Sequence, residues 1–322
     1  MNAMSRRALL ATPLALPALA QDQRPLRLVV ASAAGANADV VARLVAADAE
    51  PVLGRRIMIE NLPAASGMRA VEAVVRAQPD GETLLFGTIS QLVMNIALFD
   101  PPPVDVAAGL RGLTMINLVP MALVVPASAS AQDLRGFIAQ QRRGGRAEYG
   151  SGPVGTTTHV VGARFAADTG IARPELVHVP YSSSALALTD VIAGRLTFMF
   201  DALLTALPHH RDGRARILGV AAQRRLPAAA DIPTIDEAGL PGFTGYTWNS
   251  IAAPSAMPEA TAQRLAEVFN TALRRPALRD RLAGMGSELP DEPWTKREVD
   301  AFYAAERARW VPIIRASGVR AG

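Results

Sequence analysis

Short apolar segments alternate with segments of helical period along the first two thirds of the chain, and this alternation restricts the fold more than any other feature. Residues 26–31 are an apolar run followed by small residues, and Val40, Val41, Leu44 and Val45 then fall on one face of a helix. The same order returns several times, which is typical of an α/β fold with parallel strands. The predicted strands are 26–31, 56–60, 83–87, 118–126, 147–149, 176–179, 196–200 and 217–221.

The last third of the chain shows helical patterns, at 258–273, 276–285 and 295–316. Because these helices have no sheet of their own to cover, we expect them to pack on the first sheet. The chain must then cross twice between two lobes, near 124–126 and near 246–251, as a two-strand hinge beside a cleft. We predict a first lobe of residues 21–124 and 247–322 and a second lobe of 125–246, each a mainly parallel sheet flanked by helices.

The first twenty residues have the pattern of an export signal. Arg6 and Arg7 precede the apolar stretch 8–19, and Ala18-Leu19-Ala20 forms a cleavage site, so we expect cleavage after Ala20. The stretch is too short to span a bilayer. Both general secretion and twin-arginine export remain open, and either predicts a bacterial periplasmic protein. The segment carries two arginines and no acidic residue, so its removal lowers the net charge from +4 to +2.

Composition excludes several classes of function. The chain has no cysteine, which rules out disulfides, thiolate metal sites and cysteine nucleophiles. Only 19% of residues are charged, which argues against a nucleic-acid-binding protein dominated by basic runs. Lys296 is the single lysine, so a Schiff-base or Walker-type lysine would have to be that residue. The metalloprotease, Walker and nucleophile-elbow motifs are missing, and the four histidines suggest no zinc site. We therefore predict no catalytic residue, no metal and no cofactor.

A glycine-rich turn lies between a predicted strand and a predicted helix. Gly150-Ser151-Gly152-Pro153-Val154-Gly155 matches the dinucleotide fingerprint, but the next strand ends without an acidic residue to hold a ribose. A turn needed only for backbone geometry is a second interpretation. We favour a third, a ligand-binding turn, because hydroxyls at 156–158 and free N–H groups at a helix start suit a carboxylate or a phosphate.

The loop 32–39, at the start of the first predicted helix, has the same features of a ligand-binding turn. Gly35 and its small neighbours allow close backbone approach, and the helix N-terminus points at whatever binds there. Asn37 and Asp39 are equally well explained as helix caps. Two such turns facing each other across a hinge indicate a site for an anion.

Two other groups of side chains allow more than one role. Asp201 follows an apolar strand and either caps the next helix or faces the cleft. Tyr181 is either a packed aromatic residue or a hydroxyl that reaches the cleft. His159 with Ser151 or Ser32 and with Asp201 could form a hydrolytic triad, although nothing in the spacing requires one.

Several spaced segments together resemble the tripartite tricarboxylate transporter substrate-binding proteins, also called Bug receptors. They are 24–30, 39–44, 60–63, 79–85, 178–181, 200–201, 231–234 and 237–243. Three segments depart from the family pattern. The first loop holds one glycine where the family has Pro-Pro-Gly-Gly-Gly, Ala64-Ala65-Ser66-Gly67 replaces Gly-Ala-Gly-Gly, and Ser182-Ser183 replaces Lys-Gly.

The resemblance implies a two-lobed periplasmic binding protein fold of the type II, Venus flytrap kind, which closes on a small carboxylate and delivers it to membrane permease subunits. We also expect a monomer, and the composition predicts that it binds no nucleic acid. The ligand contacts that the resemblance implies are Ser32, Ala33, Gly35, Ala36, Asn37, Asp39, Thr88, Ser90, Ser151, Gly152, Gly155, Thr156, Thr157, His159, Tyr181 and Asp201. The alternatives are an exported hydrolase or oxidoreductase that uses the same cleft, and a sensor that signals through a membrane protein.

Overall fold

The computed structural model describes residues 24–99, 101–144, 147–171 and 174–317, so the predicted signal segment 1–20 lies outside the described residues. The strands are β1 Leu26–Val30, β2 Ile57–Asn61, β3 Thr83–Thr88, β4 Leu110–Pro126, β5 Ala147–Ser151, β6 Leu176–Pro180, β7 Phe198–Ala202, β8 Ala215–Val220 and β9 Tyr246–Pro254. The α-helices are α1 Asn37–Leu53, α2 Met68–Val75, α3 Asn95–Leu98, α4 Val106–Gly109, α5 Leu134–Arg142, α6 Thr157–Asp168, α7 Ser184–Ile192, α8 Leu203–Arg211, α9 Glu259–Leu273, α10 Pro276–Gly284 and α11 Lys296–Ser317. A π-helical turn, Ser90–Met94, precedes α3.

The strands form two sheets that share β4. The first sheet has the order β2-β1-β3-β9-β4, and the second contains β4, β7, β5 and β6, with β8 also paired to β4. Pairs among β1, β2 and β3 and among β5, β6 and β7 are parallel, whereas β9, β4 and β8 run antiparallel to their partners. The predicted two-lobed α/β fold is confirmed. Each sheet is mixed because the strands that connect the lobes return through it.

Strand β4 is the main connection between the lobes. Its residues 110–120 pair with β9, and from Met121 onward it pairs with β7 and β8. It therefore changes sheets after Pro120, four residues before the crossing predicted at 124, and it begins at Leu110 instead of 118. At the return crossing the Met121 N–H donates to the Gly245 carbonyl and the Gly245 N–H donates to the Ala221 carbonyl, both at 2.9 Å.

The C-terminal helices cover the first sheet, as the sequence predicts. Helix α9 packs on α1 and β4, and α11 packs on β4 and on the π-helical turn. The buried carboxylate of Glu306 on α11 accepts hydrogen bonds from the Trp248 indole at 3.0 Å and from the Tyr246 hydroxyl at 3.2 Å. These bonds fix α11 to the start of β9, next to the hinge. Within the described ranges, no helix combines the length and the apolar character needed to cross a membrane.

Candidate functional site

A cleft lies where the two lobes face each other. Serine and threonine side chains supply most of its polar groups, and among the described residues Asp201 is the one ionisable side chain in its lining. No arginine, lysine or histidine of the described chain lines it. Any attraction for an anion must therefore come from N–H groups, hydroxyls and helix dipoles.

The structure brings ten of the sixteen predicted residues into this lining. They are Ser32, Ala33, Ala36, Asn37, Thr88, Ser90, Gly152, Thr156, Thr157 and Asp201. The other six are Gly35, Asp39, Ser151, Gly155, His159 and Tyr181, which lie behind or beside the lining. Thr158, whose hydroxyl belongs to the predicted ligand-binding turn, also lines the cleft. The polar lining residues that were not predicted are Ser66, Gln91, Ser182, Ser183, Ser184 and Thr247.

Two helices from different lobes begin at the cleft without a side-chain cap. The N-cap of α1 is Ala36 and the N-cap of α6 is Thr156, and neither side chain accepts a hydrogen bond from an N–H group of its own helix. The Thr156 hydroxyl lies 2.9 Å from the Thr158 hydroxyl. Because the first N–H groups of a helix have no intrahelical partner, both ends direct partial positive charge at the cleft. In α6 the Thr157 N–H is already taken by the Ser90 hydroxyl and the His159 N–H by the Thr156 carbonyl. Helix α7 also starts here, at Ser184, after Ser183 accepts a bond from the Ala185 N–H at 3.2 Å.

The first loop leaves two polar atoms without a protein partner. The Asn37 side chain is 8% exposed, and its Oδ1 has no hydrogen bond although its Nδ2 donates to Asn249 at 3.4 Å. The Ser32 hydroxyl is likewise buried without a partner. An unsatisfied buried polar atom is costly, so both atoms suit a site that a ligand or water completes.

Asp39 organises this loop from behind. One carboxylate oxygen accepts from the Gly35 N–H at 2.9 Å, the other from Asn61 at 3.0 Å, and Arg43 pairs with it at 2.9 Å. Burial alone would raise the pKa of Asp39, but the bonds from Arg43, Gly35 and Asn61 outweigh it and lower the pKa. Asp39 is therefore an ionised support for the turn at Gly35 rather than a helix cap, because Ala36 holds the N-cap position.

The two walls of the cleft touch at its edge. The Ser90 hydroxyl accepts from the Thr157 N–H at 3.3 Å, and the Ser66 hydroxyl donates to the Val154 carbonyl at 3.0 Å. Gln91 holds the Ser66 carbonyl through a bond of 3.0 Å. The glycine-rich turn of the second lobe is thus bonded directly to the first lobe.

A stack of aromatic rings supports the glycine-rich turn. The His159 Nδ1 accepts from the Gly155 N–H at 3.1 Å, and its ring lies 4.1 Å from the ring of His178. The Ser151 hydroxyl lies 2.7 Å from the His178 Nε2. Burial lowers the pKa of both histidines to about 4, so both rings are neutral near pH 7.

This geometry contradicts the imagined hydrolytic triad. Ser151 contacts His178 and not His159, and its side chain is fully buried. Asp201 bonds to Thr205 rather than to a histidine. No reacting group could reach the Ser151 hydroxyl without opening the turn.

The structure also decides the alternatives for the two remaining predicted residues. The Tyr181 hydroxyl donates to Asp190 at 2.6 Å, outside the cleft. Asp201 does not occupy the N-cap position of α8, because it is the fourth residue of β7 and Ala202 is the N-cap. Asp201 is 2% exposed, and burial raises its pKa to about 6 against the opposing bond from Thr205.

A family comparison agrees with this architecture. The sequence model described as "Tripartite tricarboxylate transporter family receptor" matches residues 41–319. The chain belongs to this family. The resemblance predicted from the spaced segments is confirmed, and with it the general role of a solute-binding receptor.

Individual relatives cover nearly the whole chain. A UPF0065 protein of Bordetella bronchiseptica is 30% identical over 92% of this chain and 87% of its own length. Rpa4515 of Rhodopseudomonas palustris, solved with adipate, is 28% identical with a TM-score of 0.86 over 92% of this chain and 98% of its own. MatC from the same organism, solved with bound malate, is 26% identical with a TM-score of 0.83 over 90% and 98%.

Proposed function

We propose that this receptor binds a small carboxylate in the interlobe cleft and delivers it to a tripartite tricarboxylate-type membrane transporter. The observation that carries the proposal is that two helix N-termini, α1 from one lobe and α6 from the other, point at one cleft that no basic side chain of the described residues lines. The adipate and malate bound to the two Rhodopseudomonas relatives support the same class of ligand. The predicted signal segment supports a periplasmic location for the receptor.

The ligand is bound by non-covalent interactions alone and is not converted. A helix end stabilises an anion by about 0.3–2 kcal/mol, and a hydrogen bond to a charged group adds about 1.5–3 kcal/mol. Several such donors therefore replace a salt bridge. Because donors come from both lobes, the ligand favours the closed form, and the closed form is what the transporter recognises.

Isothermal titration calorimetry of residues 21–322 against mono-, di- and tricarboxylates tests the proposal. We expect one-site binding of at least one of these classes. Ala33→Trp places a large ring in the cleft lining and should abolish binding, whereas Ala34→Trp, at an exposed neighbour outside the lining, should not. An absence of binding by every carboxylate would overturn the proposed ligand class.

The transporter step is tested separately in cells. Deleting the gene should abolish uptake of the carboxylate that calorimetry identifies, and the wild-type gene but not the Ala33→Trp gene should restore it. Undiminished uptake in the deletion strain would favour the sensor role over the transport role.

A further inference from the structure

Asp201 stands in an unusual place for a receptor of anions. It lies at the end of β7, opposite Ala122 of β4, and it lines the cleft together with its neighbour Ala202. The cleft offers no basic side chain from the described residues to neutralise it. An anionic ligand and this carboxyl group therefore share one site with a low dielectric constant.

The hydrogen bonds around Asp201 satisfy both of its protonation states. The Thr205 hydroxyl carries one proton and has two oxygens within reach, Asp201 Oδ2 at 2.7 Å and the Ala202 carbonyl at 2.8 Å. If Thr205 donates to Asp201, the bond stabilises the ionised carboxylate. If Thr205 donates to Ala202, a protonated Asp201 donates to Thr205. The site can therefore gain or lose a proton without rearranging.

No charge from the surrounding elements fixes either state. The strands and helices that pack on β7 are β4, β5, α6, α7 and α8. Their titratable or charged groups are Arg111, Glu148, Tyr149, His159, Arg164, Asp168, Asp190, His209, His210 and Arg211. In the described parts of the chain, none of them forms an ion pair with Asp201. Burial raises the pKa of Asp201 to about 6, opposed by hydrogen bonds from Thr205, Ala202 and Ser184.

We propose that Asp201 determines the ligand specificity of the cleft, because its protonation state decides which ligand group can bind beside it. When ionised, Asp201 accepts a hydrogen bond from a hydroxyl or ammonium group of the ligand. It admits a second carboxylate only when it is protonated. The inference rests on the proposed carboxylate-binding function and names the kind of ligand that this site prefers near neutral pH, a hydroxy- or amino-carboxylate.

The two ligand classes should differ in pH dependence. A plain dicarboxylate must bind together with a proton, so its affinity should be constant below a pH of about 6 and fall up to tenfold per pH unit above it. A ligand with an ammonium or hydroxyl group beside Asp201 needs no proton uptake. Its affinity should change by less than about threefold over the same range.

Calorimetry between pH 5 and pH 8 tests the proposal with matched probes. These are succinate with L-malate and L-aspartate, glutarate with L-glutamate, and adipate with 2-aminoadipate. Repeating each titration in buffers of different ionisation enthalpy counts the protons taken up. We expect close to one proton per plain dicarboxylate at pH 7.5 and close to none for its amino analogue.

The variant Asp201→Asn should abolish both the proton uptake and the preference for the amino analogue. Asp212→Asn, which removes the same charge from an exposed position in the second lobe, should leave them unchanged. If carboxylates bind with the same pH slope in Asp201→Asn and in the wild type, the inference is wrong although the proposed function stands. If no carboxylate binds at any pH, the proposed function and the inference fail together. The proton count in the wild type tests the inference even if the variant folds poorly.

Discussion

Closure of the two lobes depends on a glycine that has no room for a side chain. Gly155 belongs to the turn of the second lobe and has a φ of +83°, and a Cβ added to it would lie 2.0 Å from Leu98 Cδ1 of the first lobe. Leu98 is 1% exposed, so it has little space into which to move. The substitution Gly155→Ala should therefore act on the closed form.

The free-energy cost of Gly155→Ala has two parts. The left-handed backbone costs alanine about 1 kcal/mol relative to glycine, and this part affects open and closed forms alike. Overpacking against Leu98 costs about 1–3 kcal/mol and arises only where the lobes meet. Since about 1.4 kcal/mol is a factor of ten, we expect ligand affinity to fall about 5- to 150-fold.

Matched variants separate the two parts. Gly54→Ala has a similar φ of +76° but no atom within 4 Å, so it should lose stability without losing affinity. Leu98→Ala combined with Gly155→Ala should recover most of the lost affinity, because the clash is removed. A double-mutant cycle by calorimetry gives the coupling between the two positions.

Closure itself is measured by the distance between two spin labels. Because the chain has no cysteine, Met58→Cys on β2 and Val177→Cys on β6 introduce the two labelling sites, at exposed positions on the outer strands of the two sheets. Gly155→Ala should reduce the fraction of molecules with the closed distance. Wild-type affinity and an unchanged distance distribution in Gly155→Ala would show that contact with Leu98 does not limit closure.

Three further predictions concern the supports of the site. Ser66 has a φ of +53°, so Ser66→Gly should relieve backbone strain and raise the melting temperature relative to Ser66→Ala. Both variants lose the hydrogen bond to the second lobe, so calorimetry should show that both bind ligand about 2- to 10-fold more weakly than the wild type. Glu306→Ala leaves the buried Trp248 indole without its acceptor and should lower the free energy of unfolding by about 2–4 kcal/mol in urea titrations; an unchanged midpoint would contradict this role. His159 and His178 have folded pKa values of about 4, below the ordinary 6.5, so the unfolded chain binds more protons and stability should fall as pH drops from 6.5 to 4. His178→Gln should flatten that fall in thermal melts recorded across the pH range.

The order of strands and helices was predictable because each element has a clear period. Helix α6 follows directly after the glycine-rich turn, where a helix was predicted, and the C-terminal helices lie on the first sheet as expected. The start of β4 was missed because residues 110–117 mix glycine, threonine and asparagine with apolar residues, and their pairing with β9 is a long-range contact. Local patterns cannot show such a partner.

The candidate site was predictable where a helix starts after small residues, as at Asn37 and Thr157. It was not predictable where a side chain turns away from the cleft. Asp39 and His159 lie in the first turns of α1 and α6, beside the predicted loops, but their partners, Asn61 and His178, are distant in sequence. The three serines at 182–184 were a signal that could have been used, because a run of hydroxyls between a strand and a helix marks a polar turn.

The small molecule that the protein carries from its host shows directly whether the interlobe cleft binds a carboxylate. The protein is purified from the envelope fraction without added ligand and denatured, and the released small molecules are quantified by mass spectrometry. We predict close to one equivalent of a small carboxylate from the wild type and almost none from Ala33→Trp. A compound without a carboxylate at full occupancy, or equal amounts of carboxylate from both proteins, would contradict binding of a carboxylate in the interlobe cleft.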